Sequence, residues 1–201
     1  MNDFSQRFYH AVYVPIRIIM GFSHPIVRVH GKENLPEGAA VLCCNHTAFS
    51  DAVWVILGAH PKRIFRTMAK KELFDHCLLG SFIRKLGAFP VDRNISDINA
   101  VKTAFGVLRS DDKLLIFPEG TRVRNREKSN PHNGAVMIAA RAGAPIVPVY
   151  LTAKKRFWRK LDLVIGEPYH PKYEGRKPSP EELSALTEDM MDRIWQLEAS
   201  L

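Results

Sequence analysis

One histidine of this 201-residue chain begins a stretch whose residue types suit proton transfer. The stretch runs from Asn45 to Asp51 and reads NHTAFSD, so that His46 stands five positions before Asp51. A neutral imidazole titrates near physiological pH and can accept a proton from a hydroxyl group. A carboxylate bonded to the other ring nitrogen would fix the tautomer and stabilise the imidazolium that forms. The stretch therefore predicts a general base, His46, oriented by Asp51.

The spacing of five residues limits how this pair can meet. On one continuous helix the two side chains would point about 140° apart. We therefore expect His46 in a loop and Asp51 in the first turn of a helix. The helix dipole also stabilises a carboxylate at that position. Taken alone the pattern is weak, because a loop histidine bonded to backbone and an ordinary first-turn acid have the same spacing.

Two further segments place an arginine after an apolar run. Phe117–Arg122 reads FPEGTR, and Gly87–Arg93 reads GAFPVDR. A guanidinium is a planar fork of donors that suits a phosphate group. Gly120 allows a close backbone approach or a positive φ, and we expect Glu119 to order Arg122 or to bond a substrate hydroxyl. The alternative is a turn with a surface ion pair, which contributes only about 0–1 kcal/mol.

The elements that must position these residues indicate one α/β domain over residues 27–201. Short apolar runs alternate with helical stretches, which predicts a mostly parallel sheet flanked by helices. The predicted strands are Val27–His30, Ala39–Cys44, Ile64–Met68, Ala88–Val91, Lys113–Phe117, Ile146–Leu151 and Leu161–Ile165. The predicted helices are Asp51–Ala59, Glu72–Lys85, Asp97–Arg109, Gly134–Ala142 and a C-terminal helix capped by Ser179. Pro148 predicts that its strand is an edge or bulged strand.

Residues 1–26 form a separate N-terminal segment. Phe4–Phe22 is rich in apolar and aromatic residues, but it also holds two arginines, a histidine and Pro15. A spanning helix needs about 20 mostly apolar residues, so we expect one or two short amphipathic helices lying on a bilayer surface. Packing against the protein's own core is the alternative. The segment lacks the order of a secretory signal, and three cysteines indicate neither a disulfide framework nor a metal site.

A net charge of +8 favours anionic partners such as nucleic acid, phospholipid headgroups or phosphorylated substrates. Lys154–Lys160 (KKRFWRK) places five cations around two aromatic residues, which is typical of contact with anionic lipid. Stacking on nucleic-acid bases and a solvated face are the alternatives. For a second basic patch we expect phosphate or coenzyme A contact; it consists of Arg122, Arg124, Arg126 and Lys128. No nucleic-acid motif accompanies either patch, so we do not expect nucleic acid as a partner.

Four segments, taken in this order, resemble the glycerolipid acyltransferase family, whose best-known members are the lysophosphatidate acyltransferases. They are Asn45–Asp51, Gly87–Arg93, Phe117–Arg122 and Ile146–Val149. The stretch VRVHGKENLP, which ends at Pro36, also resembles the approach to the family's first motif. The resemblance covers about residues 27–151, and the joint pattern is specific although each segment alone is not.

The resemblance implies that His46 is the general base and Asp51 its orienting partner, while Arg93 and Arg122 hold the phosphate of the acceptor. The acceptor site that it implies consists of Asn45, Arg93, Glu119, Gly120, Thr121 and Arg122. The implied reaction moves a fatty acyl group from acyl-CoA or acyl-acyl carrier protein to the sn-2 hydroxyl of lysophosphatidate, a lysophospholipid. The family needs no metal, no cofactor and no acyl-enzyme.

Two departures from the family pattern bear on these expectations. Position 49 is a phenylalanine, and no lysine precedes Gly134, where the chain reads PHNG. The second departure keeps other acceptors open, namely glycerol-3-phosphate or another lysolipid. A third possibility is a lipid-binding homologue without activity, although both His46 and Asp51 are present. We expect the protein at the cytoplasmic face of a membrane, as a peripheral or monotopic protein.

Overall fold

Strands and helices alternate along the chain in the computed structural model, which describes residues 5–59, 64–93, 95, 97–123 and 129–201. The strands are β1 (Val27–His30), β2 (Ala40–Cys44), β3 (Phe65–Lys70), β4 (Ala88–Val91), β5 (Lys113–Ile116), β6 (Ile146–Leu151) and β7 (Leu161–Ile165). The α-helices are α1 (Gln6–Ser23), α2 (Asp51–Ala59), α3 (Cys77–Lys85), α4 (Ile98–Arg109), α5 (Gly134–Ala142) and α6 (Pro180–Gln196). Most bounds lie within two residues of those that the sequence predicts.

The strands form one sheet in the order β1-β7-β6-β2-β5-β3-β4. The five strands from β6 to β4 in this order run parallel to one another. β7 runs antiparallel to β6, and β1 runs parallel to β7. The mostly parallel sheet flanked by helices is therefore confirmed. The carboxyl ends of the five parallel strands meet at one edge, where α/β sheets place their ligands.

Helices cover both faces of the sheet. Helices α4, α5 and α6 pack on one face, where Ala104, Val136 and Ile194 are buried. Helices α1 and α2 pack on the other, where Tyr13 and Trp54 are buried. The central strand β2 sends alternate side chains into both clusters and is buried at every position. A strand covered on both faces explains the continuous apolar run in the sequence.

The predicted single helix over Glu72–Lys85 is wrong. A 3₁₀ helix covers Lys71–Phe74, and α3 begins only at Cys77. The two pieces are folded against each other so closely that a Cβ on Gly80 would lie 2.6 Å from the carbonyl oxygen of Phe74. Only a glycine allows this approach, and the sharp turn between the pieces interrupts the helical path.

The prediction that Pro148 marks an edge strand is also wrong, because β6 lies between β7 and β2. Pro148 pairs with Cys43 of β2, and its carbonyl accepts a hydrogen bond from Gly166. The registered pairing between β6 and β7 begins only at Val149. The proline therefore stands at the end of this ladder, where its missing N–H affects only the last pair.

The N-terminal segment forms one continuous helix, α1, which contains Pro15. Its buried face packs on the domain through Tyr9 and Tyr13, and the Tyr13 hydroxyl donates a hydrogen bond to the Leu57 carbonyl at 2.8 Å. Exposed apolar residues such as Ile18 and Phe22 lie on the remaining surface. Among the described residues, no helix has the length and apolar character that crossing a bilayer requires.

Candidate active site

His46 lies in the loop after β2, and its backbone is held by the loop after the neighbouring strand β5. The His46 N–H donates a hydrogen bond to Oε2 of Glu119 at 2.7 Å. The His46 carbonyl accepts one from the N–H of Val123 at 2.8 Å. Both backbone groups of His46 are therefore fixed by the segment that contains the FPEGTR motif, which explains why two distant motifs form one site.

The His46 and Asp51 side chains meet as the spacing requires. Nδ1 of His46 lies 2.9 Å from Oδ2 of Asp51, the first residue of α2. The same oxygen accepts hydrogen bonds from the backbone N–H groups of Thr47 at 2.6 Å and Ala48 at 2.8 Å. The Asp51 carboxylate thus connects the residues of the loop to one another and orients the imidazole towards the carboxylate.

The charge state of Asp51 decides which ring nitrogen of His46 carries the proton. Burial raises the pKa of Asp51, but the His46 hydrogen bond, the Lys155 charge and the Ala48 N–H outweigh burial and hold the pKa below its ordinary value. The ionised carboxylate can only accept, so Nδ1 is the donor. This network assigns the lone pair of the neutral ring to Nε2, the nitrogen that a general base uses.

Lys155 completes this arrangement and was not predicted as a site residue. Its Nζ lies 2.7 Å from Oδ1 of Asp51 and donates a hydrogen bond to the Thr47 hydroxyl at 2.8 Å. The Lys155 side chain is only 8% exposed. In the sequence it stands between Lys154 and Arg156, both exposed in the structure, and no sequence signal separates it from them.

The ring of Phe117 covers one face of the imidazole. The two rings are stacked, with centroids 4.3 Å apart and planes inclined at 28°. The His46 side chain remains 16% exposed. A ring that is held by a carboxylate and packed on one face, yet still partly accessible, can exchange a proton with a bound substrate.

Glu119 has a different position from the one expected for a substrate contact. Its carboxyl group is buried, and it accepts hydrogen bonds from the His46 N–H and from the Ser129 hydroxyl at 3.3 Å. Burial and, to a smaller extent, the charge of Asp51 raise the pKa of Glu119 to about 7, although the two hydrogen bonds oppose the change. The structure therefore gives Glu119 the task of fixing the catalytic loop, rather than ordering Arg122.

Asn45 is likewise a positioning residue, which corrects the expectation that it binds substrate. Its side chain is completely buried. The amide nitrogen donates to the Leu151 carbonyl at 2.9 Å, and the amide oxygen accepts from the Leu151 N–H at 2.8 Å. Because both atoms are used, this amide ties the end of β2 to the end of β6.

The remaining FPEGTR residues form a turn beside the site. Gly120 has a φ of +64°, and a Cβ there would lie 2.7 Å from Cδ2 of His132. His132 also donates its backbone N–H to the Pro118 carbonyl at 2.8 Å. This contact places the PHNG departure from the family pattern directly against the turn. Thr121 and Arg122 are exposed.

A cavity of about 660 Å³ opens beside Phe117, between α4, α5 and the ends of the strands. Its size is within the range of roughly 300–1,000 Å³ that is usual for small-molecule sites. The apolar residues that line it include Met68, Val91, Ile98, Val101, Phe105, Met137 and Ile138. Arg93 and His132 are among its polar residues. Phe117 thus contacts the His46 ring and also lines the apolar cavity.

The two predicted phosphate-binding arginines lie at the same edge of the sheet as His46 but at different distances along it. Arg122 immediately precedes Val123, whose N–H bonds the His46 carbonyl. Arg93 follows β4, which is three strands from β2 in the sheet order, or about 14 Å at about 4.8 Å per strand. Of the two, the described lining of the cavity includes Arg93. Three residues of the second basic patch, Arg124, Arg126 and Lys128, fall outside the described residues.

Across the part of the chain that the structure describes, no three His, Cys, Asp or Glu side chains are grouped so that they could hold a metal ion. The three cysteine thiols are free, and Cys43 and Cys44 are buried in β2. The imidazole of His46, oriented by Asp51, offers proton transfer.

Known proteins share this arrangement of sequence and fold. A family model described as Acyltransferase matches residues 26–152. A 1-acyl-sn-glycerol-3-phosphate acyltransferase of Bacillus subtilis is 39% identical over 181 residues, which are 87% of this chain and 89% of the relative. One of Streptococcus pneumoniae is 36% identical over 126 residues, 61% of this chain and 46% of the relative.

A solved structure is also similar. The crystal structure of the 1-acyl-sn-glycerophosphate (LPA) acyltransferase PlsC from Thermotoga maritima superposes with a TM-score of 0.61. The two chains are 26% identical, and the match covers 96% of this chain and 78% of that one. The similarity therefore extends over nearly all of this chain, including the N-terminal helix region and the C-terminal helix.

Proposed function

Because this chain belongs to the glycerolipid acyltransferase family, we propose that it transfers a fatty acyl group from an acyl thioester to the sn-2 hydroxyl of lysophosphatidate, which gives phosphatidate. The donor is acyl-CoA or acyl-acyl carrier protein. One observation carries the proposal: Nδ1 of His46 lies 2.9 Å from the buried carboxylate of Asp51. That contact leaves Nε2 free to act as a base.

The reaction needs only this base and the bound substrates. Nε2 of His46 takes the proton of the sn-2 hydroxyl as its oxygen attacks the thioester carbonyl carbon. The new C–O ester bond forms, the C–S bond breaks, and the leaving thiolate takes the proton back from the imidazolium. The Asp51 carboxylate stabilises the imidazolium in between. A positioned base of this kind typically accelerates transfer by about 10²–10⁴-fold.

The phosphate of the acceptor is bound by the two arginines. In lysophosphatidate the phosphate is carried by the carbon next to the one that bears the reacting hydroxyl, so it must lie close to His46. Arg122 is the better placed of the two, because its neighbour Val123 bonds the His46 carbonyl. Arg93 lines the cavity farther along the same edge of the sheet and is the second proposed contact. Charge-assisted, bidentate bonds would hold the hydroxyl in place and convert binding into rate.

The cavity beside Phe117 receives the transferred acyl chain. Its lining is mainly apolar, and it includes Phe117, whose ring stacks on His46. A chain that lies in it would place its thioester carbonyl at the mouth, near the imidazole. The depth of the cavity under α4 and α5 then limits the length of the chain that fits.

The partner surface is a phospholipid membrane, at whose cytoplasmic face the protein binds peripherally. Exposed apolar side chains are Val14, Ile18, Ile19, Phe22, Phe157 and Trp158. The Trp158 N–H donates to the Ser23 carbonyl at 2.8 Å, which ties the basic stretch Lys154–Lys160 to the end of α1. Aromatic rings among cations suit an anionic bilayer surface.

A different acceptor is the second candidate. The absence of a lysine before Gly134 leaves His132 against the FPEGTR turn, so that the headgroup contacts differ from the family pattern. Glycerol-3-phosphate or another lysolipid would use the same base. A lipid-binding protein without activity is less well supported, because the His46–Asp51 contact is intact.

An assay of the purified protein tests the reaction and the role of His46 together. Lysophosphatidate, glycerol-3-phosphate and lysophosphatidylcholine are each offered with palmitoyl-CoA or palmitoyl-acyl carrier protein, and the lipids are analysed. We expect phosphatidate as the main product, and His46→Gln should lower kcat by about 10²–10⁴-fold because the base is lost. The exposed His76→Gln serves as the control. A folded His46→Gln protein with nearly normal turnover would contradict the mechanism.

A bulky residue in the cavity tests its role as the acyl site. Val101 lines the cavity from α4, and Val101→Trp should shorten it. Relative kcat/KM over donors of 10 to 18 carbons, about two carbons apart, should then fall most for the longest chains, by about tenfold. Thr103→Trp, on the exposed side of the same helix, should leave the profile as it is. An equal loss at every chain length would place the acyl chain elsewhere.

Sedimentation with vesicles tests the membrane surface. The wild type should sediment with phosphatidylcholine vesicles that contain phosphatidylglycerol, and less with phosphatidylcholine alone, because the exposed cations require anionic headgroups. Replacing both rings, Phe157→Ser with Trp158→Ser, should reduce binding severalfold. A gel shift with single-stranded DNA is run beside it. If the protein retards DNA, and if the double variant binds vesicles as well as the wild type does, nucleic acid would be favoured as the partner of this surface.

A further inference from the structure

We propose that Lys155 is a positioning residue of the acyl-transfer site, whose ammonium group fixes the carboxylate of Asp51 and thereby the orientation and proton affinity of His46. The inference rests on the proposed function, since it concerns the same base. It assigns a separate task to one lysine of a basic stretch that otherwise faces outward. The geometry that supports it is independent of any substrate.

The ammonium group completes the surroundings of a carboxylate that is fully buried. Oδ2 of Asp51 faces three donors, namely the His46 ring and the N–H groups of Thr47 and Ala48. Those bonds all lie on one side of the carboxylate. Oδ1 faces Nζ of Lys155 at 2.7 Å, so that each oxygen has a charged or polar partner. A carboxylate held on both oxygens cannot rotate away from the imidazole.

Lys155 also holds the loop that carries the base. Its Nζ donates to the hydroxyl of Thr47, which directly follows His46. One ammonium group therefore bonds both the residue after the base and the residue that orients the base. These two contacts fix the position of Thr47 relative to Asp51. Small displacements of catalytic groups lower the reaction rate strongly.

The burial of Lys155 distinguishes it from its neighbours. Its side chain is 8% exposed, whereas Lys154, Arg156, Phe157 and Trp158 are exposed. An ammonium group is costly to remove from water unless a charged partner compensates. Within the stretch, Lys155 is the cation whose side chain is largely buried. The partner that compensates for its burial is the carboxylate of Asp51.

The charge of Lys155 has a second effect, on the proton affinity of His46. An ammonium group on the far side of the carboxylate opposes the formation of imidazolium. Removal of this charge should therefore favour protonation of the ring. The other titratable groups around the pair are Glu119 after β5, Cys44 in β2, and His24 at the end of α1, whose pKa is lowered by burial and by the Lys155 charge.

Two substitutions separate the hydrogen bonds of Lys155 from its charge. Lys155→Gln keeps an N–H donor for Thr47 but carries no charge, whereas Lys155→Met has neither the donor nor the charge. Both variants should move the acidic limb of the pH–kcat profile to higher pH, since the opposing charge is gone. Lys155→Met should in addition lose about tenfold in kcat on the plateau, because the loop is no longer held. The KM for lysophosphatidate should change little.

The controls exclude a general loss of structure or of membrane contact. The exposed Lys172→Met removes an equal charge and should keep the wild-type pH profile. All variants are checked by circular dichroism and thermal unfolding, and by sedimentation with the same anionic vesicles. A folded Lys155→Met protein with the wild-type pH profile and a kcat within twofold would overturn the proposal. A loss that appears only as weaker vesicle binding would overturn it as well.

A measurement without turnover keeps this inference separate from the proposed function. The ring of His46 is followed by NMR during a pH titration of wild type, Lys155→Gln and Lys155→Met, with no substrate present. Both variants should protonate the ring at higher pH than the wild type. If the wild type transfers no acyl group in any assay, the proposed function fails, and the titration still decides the role of Lys155. Superimposable titration curves of the wild type and the two variants would refute the proposed role of Lys155.

Discussion

A buried carboxylate needs partners for both of its oxygens, and the catalytic loop is folded around the partners of Asp51. Three of them are provided by residues 46–48 of the same loop, and the fourth comes from Lys155 in the connection between β6 and β7. The ionised carboxylate in turn fixes the tautomer of His46. The orientation of the base, the path of the loop and the burial of one lysine are thus consequences of a single charged group.

The parallel sheet explains why residues so far apart in sequence reach that loop. Strands β2, β5 and β6 are neighbours and end at the same edge, so the segments that follow them come together. Asn45 binds the end of β6, and Glu119 from the loop after β5 holds the backbone of His46. This support has an energetic cost, because burial disfavours the ionised form of Glu119 and raises its pKa to about 7. Both backbone groups of His46 are held in this way.

The sequence predicted the elements and the contact between His46 and Asp51, because apolar runs and a five-residue spacing are local properties. It did not distinguish residues that touch substrate from residues that hold the loop: Asn45 and Glu119 were expected in the acceptor site but bond backbone groups instead. Lys155 was missed because its inward path depends on a carboxylate about 100 positions earlier. Pro148 indicated an edge strand, and only the register with β7 explains how it fits a central one. Each error concerns contacts between distant segments, which composition and periodicity do not encode.

The central claim is that Asp51 holds the neutral His46 ring with its proton on Nδ1, so that Nε2 is available to the acceptor hydroxyl. Nitrogen-15 NMR of histidine-labelled protein, recorded at a pH where the ring is neutral, measures this directly. The account predicts that His46 shows a proton bonded to Nδ1 and an unprotonated Nε2, and that Asp51→Asn abolishes this preference. A wild-type ring protonated on Nε2, or an equal mixture of the two tautomers, would contradict it.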